Sequence, residues 1–382
     1  MQTIYLDHAA TTPIHPEVSA AYIKAMDSVF GNPSSIHSYG RTSRKLLDEA
    51  RKTIAEALQA EPTEIIFTSG GTEADNIAIF GTVSAMKEKG NHIITTAIEH
   101  HAVLNSCKEL EKSGCKVTYL PVDENGRINA KQVAEALTEE TVLVTIMYGN
   151  NEVGVIQPIK EIGELLNGHQ AVFHTDAVQA FGIMDLDVNE LQVDLLSASA
   201  HKLNGPKGVG FLYQRKGLQT NPLQHGGEQE RKRRAGTENV PAIVGFAEAV
   251  KIARQVMADN RMKYNNYTKK MTTVFDQEGI EYEVNAEEAE RLAHVVNISF
   301  PGTDIESLLV NMDMAGIAVS SGSACTAGSL EPSHVLSAMY GSESPKLRNS
   351  VRFSFGLGLD DQAIQAAATS TAKIVKRLVK EN

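Results

Sequence analysis

Residues 194–208 read DLLSASAHKLNGPKG. An apolar run with strand character ends in small hydroxyl-bearing residues, and a histidine and a lysine follow before a turn built on Asn204, Gly205 and Pro206. Lys202 is therefore expected where a strand gives way to a loop, the place where an α/β protein displays functional groups on a rigid scaffold. Two readings are open for it from this stretch. One is a Schiff-base amine with Ser199 and His201 beside it as donors to an anion, the other a solvated surface lysine. What the rest of the chain brings to the same edge decides between them.

Upstream, apolar residues at helical spacing over 41–59 precede a strand at 64–68, and the junction Ser69-Gly70-Gly71-Thr72-Glu73 leads into an amphipathic helix over 74–86. Glycines let the backbone approach closely, and helix-start N–H groups beside a threonine hydroxyl make an anion site. The pattern is neither GxGxxG nor a Walker loop, so it points to phosphate without pointing to a nucleotide. A plain helix cap is the competing reading. Alternation continues with strands at 92–97, 116–120 and 142–147 and helices at 102–110 and 130–137. This rhythm predicts a parallel α/β sheet with ligands at the carboxyl ends of its strands.

Three further motifs fall at such ends: Glu99-His100-His101, Gly149-Asn150-Asn151-Glu152 and Asp176-Ala177-Val178-Gln179. A lone histidine there is commonly a hydrogen-bonded structural residue, and a lone aspartate a helix cap. Convergence changes the reading. An anion site, a histidine, an asparagine, an Asp/Gln pair and a lysine at one edge describe a pocket for a small phosphorylated heteroaromatic. No metal is expected, because His100 and His101 are adjacent and lack the i, i+4 spacing that aims two imidazoles at one ion.

At 382 residues the chain exceeds the usual size of one core, so a large and a small domain are expected. Thirty-six basic against 47 acidic residues leave a net charge of −11, which argues against general affinity for nucleic acid or anionic membrane. The start, MQTIYLDHAATTP, has no leader pattern and no apolar run approaches spanning length, so a cytoplasmic protein is expected. Three cysteines without a CxxC pair suggest neither a disulfide framework nor a zinc site. The opening 5–16 reads as a structural arm, and Asn32 in the loop 30–41 as a helix cap or a ligand contact.

Beyond a further strand at 208–213, the run Arg231–Arg234 within GGEQERKRRAGTEN lacks interleaved aromatics and reads as a phosphate-facing or subunit-interface loop. A long helix follows from Val240 to about Gly279. The last hundred residues alternate strands (295–300, 317–320, 350–355) and helices as a small α+β unit. Inside it lies SSGSACTAGS, residues 320–329, whose small residues cannot pack a core and leave Cys325 accessible as a reactive thiol. Cys107 and Cys115 read as ordinary small core residues. Arg352, a charge inside an apolar strand, needs an anionic partner, and a substrate carboxylate is one candidate.

The ordered motifs YLDHAATTP, FGNPSSIH, FTSGGTEADN, EHHAV, NNEVG, HTDAVQ, AHKLNGPKG, RAGTEN and SSGSACTAGSLEPSHVL span nearly the whole chain. Together they resemble the cysteine desulfurases, in particular the NifS/IscS-like branch of the class V aminotransferase group. Ala200 departs from the pattern, since many relatives carry glycine there. The resemblance implies the pyridoxal-phosphate fold type I: a large domain (15–260) with a mostly parallel, seven-stranded-type sheet flanked by helices, and a smaller α+β domain (1–14 and 261–382) carrying the cysteine loop 320–330. It implies pyridoxal 5'-phosphate as an aldimine on Lys202, with His100 stacked on the ring, Asp176 on the pyridinium nitrogen and Gln179 on the phenolate oxygen. Gly71, Thr72, Ser199 and His201 would hold the phosphate, helped by Thr237 of a second subunit. Asn151 and Arg352, with Asn32, would hold the substrate carboxylate, and Cys325 would be the nucleophile. The implied reaction takes sulfur from L-cysteine, leaving alanine and a persulfide, in a homodimer serving a sulfur acceptor such as an iron–sulfur scaffold or a tRNA-thiolating enzyme. A selenocysteine lyase or another pyridoxal-phosphate lyase is the alternative.

Overall fold

The structure, a computed structural model, describes residues 3–321 and 332–381. Strand β1 is Ile4–Tyr5, and β2 (Ile65–Thr68), β3 (His92–Thr96), β4 (Lys116–Leu120), β5 (Thr141–Thr145), β6 (Val172–Asp176), β7 (Leu195–Ser199) and β8 (Gly210–Gln214) follow. These last seven form one sheet in the order β2-β8-β7-β6-β5-β3-β4. Strands β3 to β7 pair in parallel, whereas β8 runs antiparallel to both β2 and β7. The expectation of a parallel sheet thus holds except at β8. Its reversal has a local cause: residues 200–209 turn the chain back in one hairpin, with Asn204 at φ 62° and Gly208 at φ 77°.

Because β2 runs the same way as β3 to β7, all their carboxyl ends meet at one edge. Strands β2, β3, β5, β6 and β7 are buried along their whole length, as strands covered by helices on both faces must be. One face packs Ile65, Phe67, Val144, Phe173, Leu196 and Phe211; the other packs Ile66, Ile93, Leu143, Val172, Leu195 and Leu212. The alternation of neighbouring residues between the two cores is the period-two geometry of a strand.

The remaining strands are β9 (Glu283–Val284), β10 (Val295–Ser299), β11 (Ile317–Ala318) and β12 (Ser350–Ser354). Strands β12, β10 and β9 form an antiparallel sheet, and β11 pairs in parallel with β1. The helix Val240–Glu278 joins the two regions. Its first half buries Ala242, Ile243 and Phe246 in the large core, and its second half buries Tyr264, Tyr267, Met271 and Phe275 in the other. Gly279, at φ 62°, ends it in the left-handed conformation a glycine adopts without penalty.

The amino-terminal arm crosses between the regions. Leu6 O accepts from Ser354 N–H at 2.7 Å, Thr12 Oγ1 donates to His201 O at 2.8 Å, and Asn204 N–H donates to Thr12 Oγ1 at 2.9 Å. The segment read as a structural arm therefore lies against the residues flanking Lys202. None of the described helices is long and apolar enough to cross a membrane.

Candidate active site

The carboxyl edge of the large sheet encloses a cavity of about 330 Å³. Gly71, Thr72, His100, Asn151, Asp176, Gln179, Ser199, His201, Lys202 and Arg352 all line it. Asn32 and Thr237 do not: both are exposed elsewhere, and Asn32 Oδ1 accepts from Ser34 N–H at 2.8 Å in a local turn. Cys325 lies outside the described residues. Cys107 is fully buried, with its thiol pushed up to about 12 by desolvation, and Cys115 is half-buried.

Lys202 ends a short turn, Ala200–Lys202, directly after β7. Its Nζ donates to the carbonyls of Ala9 and Ala10, the latter at 2.8 Å, so the arm holds the amine over the cavity. Asp176 is the last residue of β6. Its Oδ1 accepts from Val178 N–H at 2.9 Å. Burial pushes its carboxyl up to about 6, while the Val178 N–H and the Lys202 charge pull the other way.

His100 caps the helix His101–Lys112, its Nδ1 accepting from Ala102 N–H at 3.1 Å. The ring therefore carries its proton on Nε2, and desolvation, followed by the charge of Lys202, holds its pKa down to about 4. His100 is thus both the structural cap and a neutral ring facing the cavity.

Gly71 and Thr72 begin the helix Gly71–Met86. A Cβ on Gly71 would stand 2.6 Å from Val178 Cγ2, so no larger residue fits this close approach of helix start to strand end. Ser199 closes the same corner at the end of β7. Beside it, His201 Nδ1 lies 3.1 Å from Thr11 Oγ1, and burial lowers the imidazole to about 4. Glu73, the residue after Thr72, accepts from Ser69 N–H and Arg234 Nε, both at 2.7 Å. This ties the basic loop to the helix start. Within that loop Glu230, Arg231 and Lys232 all take positive φ, and Glu230 is anchored by a two-point bond from Arg51, at 2.7 Å each.

Gln179 Nε2 donates to Ala9 O at 2.9 Å, and its Oε1 faces His294 Nε2 at 3.3 Å. His294 was not singled out in the sequence; it lies in β10's approach and no motif marks it. Arg352 was expected to need an anionic partner, and the structure supplies one within the chain. Its Nη2 donates to Asp7 Oδ1 at 2.7 Å and its Nη1 to Asn151 O at 2.9 Å. Nε has no hydrogen-bond partner among the described residues.

Sequence reading also passed over Asp75, which lines the cavity at 1% exposure. It follows Thr72 by three residues, so helical spacing places both on one face. One ligand atom from each of Asp75, His100 and Asp176 lies within 4.8 Å of the others.

These residues fit pyridoxal phosphate. The amine of Lys202 and the buried carboxyl of Asp176 share one cavity of a size suited to a small cofactor. The glycine approach at Gly71, the helix start and the hydroxyls of Thr72 and Ser199 supply neutral donors for a phosphate.

Residues 4–366 match the family described as Aminotransferase class-V. The chain belongs to that family of pyridoxal-phosphate-dependent enzymes. It is 58% identical over 99% of its length, and all of the relative's, to "Putative cysteine desulfurase IscS 1" of Bacillus subtilis. It is 46% identical to "Cysteine desulfurase IscS" of Methanosarcina thermophila over 99% of this chain and 93% of that one. Among solved structures it is similar to a NifS-like protein with a TM-score of 0.91 and 33% identity, covering 98% and 100% of the two chains.

Proposed function

We propose that this chain is a cysteine desulfurase that takes sulfur from L-cysteine, forms L-alanine and leaves a persulfide on Cys325. The observation that carries the reading is Lys202 Nζ presented in one cavity with Asp176 and His100, in a chain whose relatives carry that name. Bound pyridoxal phosphate supplies the electron sink for the pair released at the substrate Cα.

The chain's residues do the rest. Lys202 would hold the cofactor and, as a free amine, would move the Cα proton as a base. Asp176 would keep the cofactor's ring nitrogen protonated, and Gln179 would hold its phenolate oxygen. His100 would pack against it as a neutral imidazole. Gly71, Thr72, Ser199 and His201 would hold the phosphate, and Asn151 and Arg352 would hold the substrate carboxylate. The Cys325 thiolate attacks the substrate sulfur, the carbon–sulfur bond breaks, and protonation of the carbon skeleton yields alanine. A protein acceptor then takes the sulfur, an iron–sulfur scaffold or a tRNA-thiolating enzyme.

We further read the chain as a homodimer with units 15–260 and 1–14 plus 261–382. Thr237 and Asn32 are exposed away from their own cavity, which suits contributions at a partner's site. Ile23, Met26, Phe30, Ile36 and Tyr39 are more than half exposed on neighbouring elements, an apolar patch that a second copy would cover. A cytoplasmic location suits thiol chemistry that needs a reducing compartment. The test is formation of alanine and sulfide from L-cysteine with a thiol reductant, beside selenide from selenocysteine. Failure to form alanine from cysteine would overturn the reading.

A further inference from the structure

Asp75 and Asp176 come from different elements, the helix Gly71–Met86 and β6, yet both carboxyls line one cavity and are 1% and 5% exposed. One oxygen of each, with one nitrogen of His100, falls within 4.8 Å of the others. Two buried carboxylates this close are not both ionised, because neither has water to screen the repulsion. The partners decide which keeps its charge. Asp176 accepts from Val178 N–H and feels the Lys202 ammonium. Among the described residues Asp75 has no cation against it, and its Oδ1 has no hydrogen-bond partner.

The groups packed around Asp75 agree. Glu99, at the end of β3, is a further buried carboxyl. His174 Nε2 stands 3.7 Å from Asp75 Oδ1, but that ring is fully buried and held neutral, its pKa depressed to about 3 by desolvation. Its nitrogens face Thr145 Oγ1 and Ser197 Oγ at 2.8 and 3.0 Å, so it brings no charge to Asp75. His100 is neutral as well. Burial first, and Asp176 second, raise the Asp75 carboxyl well above the ordinary aspartate range, against a smaller lowering by Ser197.

We propose that Asp75 is a positioning residue that stays a neutral acid, leaving Asp176 as the single charged carboxylate of the pair in the cavity. The inference rests on the cofactor reading above. A buried neutral acid gives Asp176 a polar neighbour without a competing charge, so the charge opposite the ring nitrogen stays on one residue.

The test compares wild type with Asp75→Asn by infrared difference spectroscopy at pH 7, with and without added pyridoxal phosphate. The expected difference is the loss of one protonated-acid carbonyl band that shifts in heavy water; loss of a carboxylate band instead overturns the proposal. If the variant does not fold, carbon-13 spectra of wild type labelled at aspartate carboxyls serve the same purpose. One aspartate should remain protonated at pH 7, and none doing so overturns it. In the holoprotein, the pH midpoint of the visible band should stay in place in Asp75→Asn, because a neutral amide replaces a neutral acid. A fall of about one unit or more, the mark of a lost buried negative charge, overturns it. A wild type that gains no visible band with pyridoxal phosphate would instead fail the cofactor reading, and the infrared result without cofactor would still stand.

Discussion

Arg352 donates to Asp7 Oδ1 at 2.7 Å from inside β12, at 2% exposure, so a residue of the arm holds the charge of a residue from the last strand. The same guanidinium lines the cofactor cavity with an unpartnered Nε. If Arg352 holds the substrate carboxylate as proposed, Asp7 competes with it. Replacing Asp7 by Asn leaves a buried cation uncompensated. The expected result is a loss of about 2–4 kcal/mol of stability, read as a lowered denaturant midpoint. Substrate cysteine should partly restore it, because its carboxylate supplies the missing charge.

Lys202→Ala should abolish the visible absorption of the protein incubated with pyridoxal phosphate. Activity should fall by about a thousandfold or more, since both the covalent tether and the proton carrier are lost. Titration of absorbance and alanine formation measure the two effects. A variant that still turned over near the wild-type rate would remove Lys202 from the chemistry.

Cys325→Ser should leave cofactor absorption and its response to cysteine intact while ending persulfide formation, because a hydroxyl does not replace the thiolate as a nucleophile toward sulfur. Mass spectrometry of the protein after a single turnover detects the added sulfur. Sulfur found on Cys107 or Cys115 instead would reassign the nucleophile.

Acid should destabilise the protein early. His8, His100 and His201 are held to about 4, and His174 and His294 to about 3, chiefly by burial. Between these values and the unfolded value near 6.5, the unfolded chain binds protons that the folded chain does not, so stability rises with pH across this window. Asp75, Glu99 and Asp176 are shifted upward and act in the opposite sense, but the histidines outnumber them. Denaturant midpoints should therefore fall as pH drops from 6.5 towards 4, and His294→Gln should lessen the slope.

Glu230→Gln should loosen the loop 226–239. Its carboxylate receives both terminal nitrogens of Arg51 and the Phe67 N–H at 3.2 Å, and it holds a stretch of positive φ that ordinary residues resist. Breaking the pair should cost about 3 kcal/mol and speed proteolysis within the loop, as limited digestion would read. Protection equal to wild type would mean that Arg234 and Glu73 suffice to hold it.

The alternating strands, the reach of the helix from Val240 and the residues gathered at the sheet edge were legible because each rests on local pattern: period two, period 3.6, or a turn residue at a strand end. The reversal of β8 was not, since a buried strand of either direction reads the same. Asp7 and His294 escaped for a different reason. Their significance lies in contacts with Arg352 and Gln179, well over a hundred residues away, and an isolated aspartate in an arm or histidine before a strand carries no spacing to betray it. The anionic partner that Arg352 called for is Asp7, within the chain, beside the substrate carboxylate that was one candidate. Asn32 and Thr237 were predicted at a pocket that, within one chain, they do not line.

The carbonyls of Ala9 and Ala10 that receive Lys202 Nζ have a practical consequence for anyone handling this protein. By Ala9 and Ala10 the backbone already lines the cavity at the edge of the large sheet. Removing residues up to Ala10 would open the cavity on that side and leave the Lys202 amine without its two carbonyl partners.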